Sequence, residues 1–376
     1  MEKLIVKNFG PIKEAEIDLT KYVVFIGDTS TGKSVLAKLI SIFRDFNNLV
    51  KNKIENVNYE KELDFVNQLK NYNIDFDFDS SFFEYTKNEL KIKLNNNHIE
   101  YISENFEKKT FFDITNLPNN LTIEDLKSFF SLIGIRGRTI YFPPERILTS
   151  LIGNSLSGLW ANNVALPICF KNFAAKYEVA RKDENFFYSY IDFGFEYGFS
   201  EGEEIIYNSG KEFKLFKASS GIQSMLPLLI VFDYELRLEV FKPDLNFLIE
   251  EPELNLFPIK QKKIIDYLIS RISKTRHEIV ITTHSPYILS SLDTLILAKN
   301  TFNEHPELKE KISKIVSEDK WIDYNDISVY EVRNDGKVYS IKNEEFKSID
   351  ANAIDSVSDV ISEEFDKLTQ LRYAHQ

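Results

Sequence analysis

Cysteine is nearly absent from this sequence, since Cys169 is the only one among 376 residues. A single cysteine allows neither an internal disulfide nor a zinc site built from cysteines. The chain also lacks the run of about 18 uncharged apolar residues that a transmembrane helix needs. Its first residues, MEKLIVKNFG, contain no apolar signal core. These absences predict a protein of the reducing cytoplasm that has no membrane segment.

Basic residues are outnumbered by acidic ones, 46 Lys and Arg against 58 Asp and Glu, so the formal net charge is −12. Nucleic-acid-binding proteins usually carry a basic face. The overall charge therefore gives no support to DNA binding, although a local basic groove is compatible with it. Hydrophobic residues make up 43% and aromatic residues 14% of the chain, which is enough for a substantial core and argues against disorder. The length fits one large domain or two moderate ones.

Short apolar runs and helical patterns alternate along much of the chain. Runs of β-branched and aromatic residues, typical of strands buried on both faces, occur at residues 22–27, 139–142, 245–249 and 278–283. Apolar residues at helical spacing follow three of these runs. This alternation predicts an α/β fold with a mostly parallel central sheet that is covered on both faces. Alternating patterns elsewhere predict an antiparallel β-subdomain, with hairpin turns at Ser209-Gly210 and at residues 334–336.

Residues 46–137 differ in composition from the segments on either side of them. They are rich in Asn, Asp and Lys and combine helical stretches with short aromatic strands. We interpret them as an inserted, partly helical lid or arm. The main domain is then discontinuous and consists of residues 1–45 and 138–376. Within it, residues 147–200 are predicted to form a helical subdomain.

The motif GDTSTGKS fits the pattern G-x-x-x-x-G-K-[ST] in full and lies between a predicted buried strand and a helix. Glycines let such a loop curl so that its N–H groups point at phosphate oxygens, and the helix N-terminus adds positive potential. Lys33 would reach the β- and γ-phosphates of ATP, and the Ser34 hydroxyl would bind Mg²⁺. The alternative is a glycine turn without a ligand. The predicted nucleotide-binding residues of this motif are Gly27, Asp28, Thr29, Ser30, Thr31, Gly32, Lys33 and Ser34.

Several carboxylates end the strand LNFLIEE. A P-loop nucleotidase needs one carboxylate for Mg²⁺ and another group that positions the attacking water. Glu250 ends the strand and is predicted to hold the metal, and Glu251 is predicted to polarise the water. The alternative is a solvated acidic loop. Glu253 and Asn255 are expected to face a partner subunit or a second nucleotide, although a solvated position suits Glu253 equally well.

Two further segments contain candidate ligands. His284 directly follows the buried run of residues 278–283, at the sheet edge where ligands collect in α/β folds. It could contact the γ-phosphate or the attacking water, although a single histidine is more often structural. The segment KASSGIQS opens a long apolar helix, so Ser220, Gly221 and Gln223 could bind phosphate at its N-terminus. The alternative there is an ordinary serine N-cap.

Taken in their order along the chain, these four elements resemble the ABC-type ATPases. The resemblance is specifically to the branch that contains SMC, RecF and OLD-like proteins and small prokaryotic AAA-family ATPases. By this resemblance GDTSTGKS is the Walker A motif, SSGIQ is the signature motif, and FLIEEPE is the Walker B motif with its catalytic glutamate. Asn255 lies where the dimer-contacting D-loop stands, and His284 matches the switch histidine. The segment YFPPER, which contains Glu145 and Arg146, resembles a segment near the Q-loop.

The resemblance covers residues 1–45 and 138–300 well and residues 46–137 poorly. Glu250 stands where many ABC-type ATPases have Asp, and Ile222 replaces the second glycine of the signature. OLD nucleases carry a C-terminal Toprim domain with a D-x-D pair, and no such pair follows the switch histidine in this sequence. The chain is therefore predicted to have no nuclease activity of its own.

The resemblance implies Mg²⁺-dependent ATP hydrolysis by a homodimer, or by a higher oligomer of such dimers, in which the signature of one subunit caps ATP held by the Walker motifs of the other. Lys33, Glu251 and His284 would be the catalytic residues. It also implies that the ATPase regulates a separate effector, a nuclease or toxin, in prokaryotic antiviral defence. Two other functions are left open. One is a DNA-repair or chromosome-maintenance ATPase that binds DNA, and the other is a non-hydrolysing nucleotide sensor that serves as a scaffold for a partner protein.

Overall fold

The computed structural model of the chain describes residues 2–44, 63–76, 80–87, 90–95, 98–103, 138–153, 162, 164–183, 188–238, 244–350, 362–370 and 372. Among these residues, none of the helices has the length and apolar character needed to cross a membrane. The cytoplasmic location stays a prediction.

The strands are, in chain order, β1 (Glu2–Phe9), β2 (Ile12–Asp18), β3 (Tyr22–Ile26), β4 (Phe82–Lys87), β5 (Leu90–Asn95), β6 (His98–Ser103), β7 (Arg138–Phe142), β8 (Tyr188–Tyr190), β9 (Phe195–Ser200), β10 (Glu203–Asn208), β11 (Lys211–Lys214), β12 (Leu245–Glu250), β13 (Glu278–Thr283), β14 (Ile327–Val332), β15 (Val338–Ser340), β16 (Lys342–Asn343) and β17 (Ser348–Ile349). The α-helices are α1 (Lys33–Arg44), α2 (Leu63–Asn71), α3 (Ile147–Ile152), α4 (Ile168–Arg181), α5 (Ser220–Arg237), α6 (Pro258–Ile272), α7 (Pro286–Glu304) and α8 (Lys309–Ile315). Residues 362–370 are also helical.

The central sheet has six strands in the order β15-β14-β3-β13-β12-β7. Strand β3 pairs in parallel with β13 and β14, and β12 pairs in parallel with β13 and β7. Only the β14–β15 pair in this sheet is antiparallel. The predicted mostly parallel sheet is confirmed. Because five of its strands run in one direction, their carboxyl ends lie along the same edge.

Side chains alternate between two hydrophobic layers on the two faces of this sheet. In β3, Tyr22, Val24 and Ile26 pack in a core with side chains of α5, α6 and α7. The intervening Val23 and Phe25 pack in a second core with side chains of α1 and β1. Such two-sided burial explains why the strand sequence is continuously apolar instead of alternating.

A second sheet is antiparallel and has the order β2-β1-β4-β5-β6. It starts with the β1–β2 hairpin at the beginning of the chain, and strands from both sides of the insertion boundary build it. Leu4 of β1 lies opposite Tyr85 of β4, and both side chains are fully buried. The described strands of residues 46–137 therefore complete a sheet that begins at the N-terminus. A role of the remaining insertion as a lid or arm stays a prediction.

The predicted helical subdomain at residues 147–200 is only partly helical. Helices α3 and α4 account for its first part, but β8 and β9 belong to a four-stranded antiparallel sheet with the order β11-β10-β9-β8. In β9, Phe195 and Tyr197 are buried while the residues between and after them are more exposed, which is the two-residue period of a strand. The helical prediction is wrong for β8 and β9, although Ile191–Phe193 between them form one 3₁₀ turn. The two predicted hairpins, β10–β11 and β14–β15, are confirmed.

Candidate functional site

The loop of residues 27–34 connects β3 to α1. Gly27 has φ of +151° and Gly32 has φ of +108°, a backbone region that favours glycine. A Cβ atom added at Gly27 would lie 2.2 Å from the carbonyl oxygen of Val332, at the end of β14. A Cβ at Gly32 would lie 2.4 Å from the Cδ1 atom of Ile12. Both glycines are therefore required by the path of the backbone and by its close neighbours.

Lys33 is the first residue of α1, and only 5% of its surface is exposed. Its Nζ donates hydrogen bonds to the carbonyl oxygens of Gly27 at 3.0 Å and Asp28 at 2.6 Å. Burial lowers the pKa of Lys33, and the nearby charges of Glu251 and Asp28 act in the opposite direction. The ammonium thus lies inside a glycine loop at a helix N-terminus. This arrangement fits a bound phosphate group, whose oxygens could replace the two carbonyls as acceptors.

Glu250 ends β12 with only 2% of its surface exposed. Its Oε1 accepts a hydrogen bond of 2.7 Å from the Tyr141 hydroxyl and lies 3.7 Å from the Nζ of Lys38. Burial, followed by the charge of Glu250, raises the pKa of Tyr141, so its hydroxyl stays a donor. Neither partner of Glu250 was predicted from the sequence. Lys38 could have been found, because it lies one helical turn after Ser34.

The donor set around Glu250 fits Mg²⁺ better than a metal held by protein ligands alone. Among the residues that the structure describes, no three His, Cys, Asp or Glu side chains gather in one place to hold a metal ion. Mg²⁺ commonly takes one or two carboxylates together with substrate phosphates and water. Glu250 and the Ser34 hydroxyl, at the start of α1, are the residues that would hold it.

Glu251, the predicted catalytic base, directly follows β12, and the structure brings it close to His284. The Oε1 of Glu251 lies 3.5 Å from the Nε2 of His284, and these side chains are 25% and 35% exposed. The backbone of Glu251 has φ of +46°, and its N–H donates to the carbonyl oxygen of Thr282. A left-handed conformation is costly for a residue with a Cβ, and such strain often occurs at functional sites. Both side chains can meet a ligand at the sheet edge.

Glu253 does not have either of the positions expected for it. Its Oε1 accepts hydrogen bonds from the Thr283 hydroxyl at 2.6 Å and from the His284 backbone N–H at 2.8 Å. Its Oε2 is buried and has no hydrogen-bond donor among the described residues. Burial raises the pKa of Glu253. Glu253 therefore contacts the segment that carries His284, which corrects the prediction of a partner-facing or solvated carboxylate.

The predicted signature residues lie at the start of α5. Ser220 is exposed, and a Cβ added at Gly221 would lie 3.0 Å from the carbonyl oxygen of Asn255, so the signature packs against the predicted D-loop. Ser219 is the N-cap residue, but its side chain makes no capping hydrogen bond. Ser219 therefore does not act as an ordinary serine N-cap of α5.

Gln223 departs from the role predicted for it. The side chain is 6% exposed, and its Nε2 donates to the carbonyl oxygens of Phe216 at 2.9 Å and Leu215 at 3.3 Å. In this conformation the amide fixes the turn that precedes α5. Its predicted contact with nucleotide is therefore corrected to a contact within the chain, whereas Ser220 and Gly221 stay predicted ligands.

Arg146 is fully buried and connects three parts of the site. Its guanidinium donates to the carbonyl oxygens of Glu250 at 2.7 Å and Glu251 at 2.6 Å, at the end of β12. It also donates to Ser224 of α5 at 3.1 Å and to Pro143, just after β7, at 3.2 Å. Burial lowers the pKa of Arg146 to about 10, so the guanidinium stays protonated at neutral pH. The sequence resemblance predicted that Arg146 lies near the Q-loop, but it did not predict these contacts.

Residues 1–147 and 155–289 match the protein family described as "AAA ATPase domain". The chain belongs to this family. The match confirms the predicted ATPase family and the P-loop α/β fold. It also includes residues 46–137, which the sequence resemblance covered poorly, so the insertion is part of the family's domain. The residues that follow position 289, including β14 and β15, lie outside the match.

The similar solved structures include three SMC head domains. One is bound to the C-winged helix domain of ScpA, with 14% identity, coverage of 92% of this chain and 98% of that chain, and a TM-score of 0.46. The SMC head domain from Thermotoga maritima has 13% identity, coverage of 77% and 90%, and a TM-score of 0.39. The third, from Pyrococcus furiosus, has an extended coiled coil bound to the C-terminal domain of ScpA, with 11% identity, coverage of 99% and 100%, and a TM-score of 0.43. The comparison with curated proteins found no match.

Replacing Arg146 with Met tests how much its hydrogen bonds contribute to the stability of the fold. Methionine removes all four of these hydrogen bonds and the charged donor to the carbonyl oxygens of Glu250 and Glu251, so we expect the free energy of unfolding to fall by roughly 3–5 kcal/mol. Urea denaturation at pH 7 measures the change. The matched control is Arg333→Met, whose half-exposed side chain pairs with Glu331 and should cost less than about 1 kcal/mol. Equal losses in the two variants would contradict the role given to Arg146.

Proposed function

We propose that this chain binds ATP at residues 27–34 and hydrolyses it with the help of Mg²⁺. The observation that supports this best is the placement of Lys33, Glu250 and Glu251 around one loop. The ammonium of Lys33 is buried in the loop, and the charges of both glutamates act on it. Glu251 has a histidine 3.5 Å away. Membership of an ATPase family gives the same reaction class.

Each group has a role that follows from its surroundings. Lys33 neutralises phosphate charge, because its present acceptors are loop carbonyls that phosphate oxygens can replace. Tyr141 and Lys38 hold the carboxylate of Glu250 in place. Glu251 is more exposed than Glu250, so it can accept a hydrogen bond from the attacking water, with His284 opposite. Mg²⁺, when bound at Ser34 and Glu250, offsets phosphate charge and polarises the phosphoryl oxygens.

We further propose that two copies of the chain close around ATP. Ser220 is exposed and heads α5, while Gly221 packs against the carbonyl oxygen of Asn255. The signature and the D-loop of one copy would therefore meet the nucleotide of the other as a joined unit. The resemblance to ABC-type ATPases supports this arrangement. Ile222 replaces a small residue in the signature and would limit how closely the backbone approaches the phosphate.

Lys33→Ala is expected to weaken ATP binding by at least about 100-fold, which corresponds to ~2.7 kcal/mol. The variant loses the buried ammonium that would face the phosphates. Isothermal titration calorimetry with ATP and Mg²⁺ measures the affinity, and thermal denaturation checks that the variant is folded. The control is Lys309→Ala, which removes a half-exposed lysine paired with Glu318. Unchanged affinity in Lys33→Ala would contradict the phosphate site.

Glu251→Gln is expected to bind ATP normally, to hydrolyse it at least about 100-fold more slowly, and to accumulate as an ATP-bound dimer. Phosphate release measures turnover, and light scattering after gel filtration measures mass with and without ATP. Glu307→Gln, which alters an exposed carboxylate beside His305, is the control. Normal turnover would contradict the base assignment. A monomer at saturating ATP would contradict the dimer, and a wild-type protein that binds ATP without turnover would favour the sensor.

The output that we propose is the control of a separate effector protein, a nuclease or toxin, in prokaryotic antiviral defence. Only the resemblance to small defence ATPases supports this step. The ATP-bound Glu251→Gln dimer is a suitable bait, because it holds the closed state. Affinity purification of this variant with ATP should retain a nuclease or toxin from the native host, whereas Lys33→Ala should not. Recovery of no such protein, or equal recovery with both variants, would contradict the proposal.

A further inference from the structure

The turn after β12 is fixed from within. The N–H of Leu254 donates to the carbonyl oxygen of Glu251, and the N–H of Leu256 donates to that of Glu253. Pro252 is buried, and Asn255 has φ of +60°. Glu251 and Glu253 therefore stand two residues apart on a short, hydrogen-bonded turn. Any displacement of this turn moves both carboxylates together.

The carboxylate of Glu253 extends from this turn to the end of β13. It accepts from the Thr283 hydroxyl and from the His284 backbone N–H at 2.6 and 2.8 Å. Thr283 is fully buried, and its hydroxyl oxygen also accepts from the N–H of Ser285 at 2.9 Å. A carboxylate that accepts from a backbone N–H forms a charge-assisted hydrogen bond, which is stronger than a neutral one. The backbone on both sides of the switch histidine is thus anchored to Glu253.

These contacts form a closed ring of three residues, Glu251, Glu253 and His284. Glu251 joins Glu253 through the turn, Glu253 holds the backbone of His284, and the imidazole of His284 returns to 3.5 Å from Glu251. The imidazole is 35% exposed, and the 3.5 Å contact is the only polar contact of its side chain among the described residues. The distance between the ring and Glu251 therefore depends on where the backbone of His284 is held.

We propose that Glu253 is a positioning residue for the ATPase reaction, which acts by fixing the backbone of His284 so that its imidazole faces Glu251. This inference rests on the proposed ATPase function. It differs from the expected contact with a partner subunit, because Glu253 reaches donors of its own chain. It also differs from a metal-binding role, because the oxygen Oε1 is already shared by two donors and Oε2 is buried.

Enzyme kinetics of four variants test the proposal. Glu253→Ala should lower kcat by roughly 30- to 100-fold, since a misplacement of about 1 Å can cost that much, with KM for ATP changed by less than about three-fold. Glu253→Gln keeps an acceptor oxygen and should stay within about three-fold of wild type in kcat. In the His284→Ala background, Glu253→Ala should cost no further activity, because a residue that acts through another shows no added effect when that other is absent.

Glu253→Asp is a second variant that tests the same role if Glu253→Ala does not fold. It keeps the charge but shortens the side chain by one methylene, so it cannot reach both donors, and it should lower kcat as alanine does. Glu307→Ala is the matched control, because Glu307 is exposed and pairs with a histidine, His305, at 3.3 Å. This control should leave kcat unchanged. Thermal denaturation of every variant shows whether lost activity follows lost stability.

Nuclear magnetic resonance gives a readout that does not depend on hydrolysis. The chain has five histidines, and the ring signal of His284 is the one that disappears in His284→Ala. This signal should shift and broaden in Glu253→Asp and Glu253→Ala and stay unchanged in Glu253→Gln and Glu307→Ala. An unchanged ring signal in Glu253→Asp would overturn the inference, even in a protein that does not hydrolyse ATP.

Two results separate the failure of this inference from that of the proposed function. Equal losses from Glu253→Ala with and without His284 would overturn the positioning role while leaving the ATPase intact. So would a glutamine variant as slow as the alanine variant. A wild-type protein without turnover would instead contradict the ATPase function, and the resonance of His284 would still decide whether Glu253 fixes the ring.

Discussion

The carbonyl contacts of one buried guanidinium hold together the edge of the sheet at which β7 and β12 end. Arg146 binds the backbone at the end of β12, the first turns of α5 and the turn after β7. Its positive charge lies near the carboxylates of Glu250, Glu251 and Glu253. Burial alone disfavours such a cation, and three neighbouring carboxylates alone repel one another. Each therefore compensates for the other, which explains how an acidic cluster can follow a fully buried strand.

Strand register determines which loops meet at this edge. Thr282 of β13 pairs with Glu250 of β12, and Thr283 pairs with Ile26 of β3. Three parallel strands thus end at nearly the same level, so the loop of residues 27–34, the turn after β12 and the segment that carries His284 begin side by side. Parallel pairing in this register accounts for a site whose parts are far apart in sequence.

Local patterns in the sequence were enough to predict the glycine-containing loop after β3, the strand that ends in Glu250 and the strand before His284, because each depends on residues within about ten positions. Residues 188–200 were misread, since their aromatic side chains alternate at the period of a strand. The contacts of Tyr141 and Arg146 with the end of β12 join positions more than 100 residues apart, so no local pattern could indicate them. Glu253 was misplaced for a related reason. The charge of its side chain suggested a solvent-exposed position, and only the fold brings the backbone of His284 close to it.

The carbonyl oxygen of Val332 leaves no room for a side chain at Gly27. The loop after β3 therefore packs against a part of the chain that the ribosome makes much later. Strand β3 is made early, but both of its neighbours in the sheet, β13 and β14, come from the last third of the chain. The ribosome must therefore release most of the polypeptide before β3 has partners on both sides. Until then, a continuously apolar strand lacks its pairing partners, and such strands aggregate readily. The loop of residues 27–34 should thus reach its final surroundings late during translation, after the chain has passed residue 332.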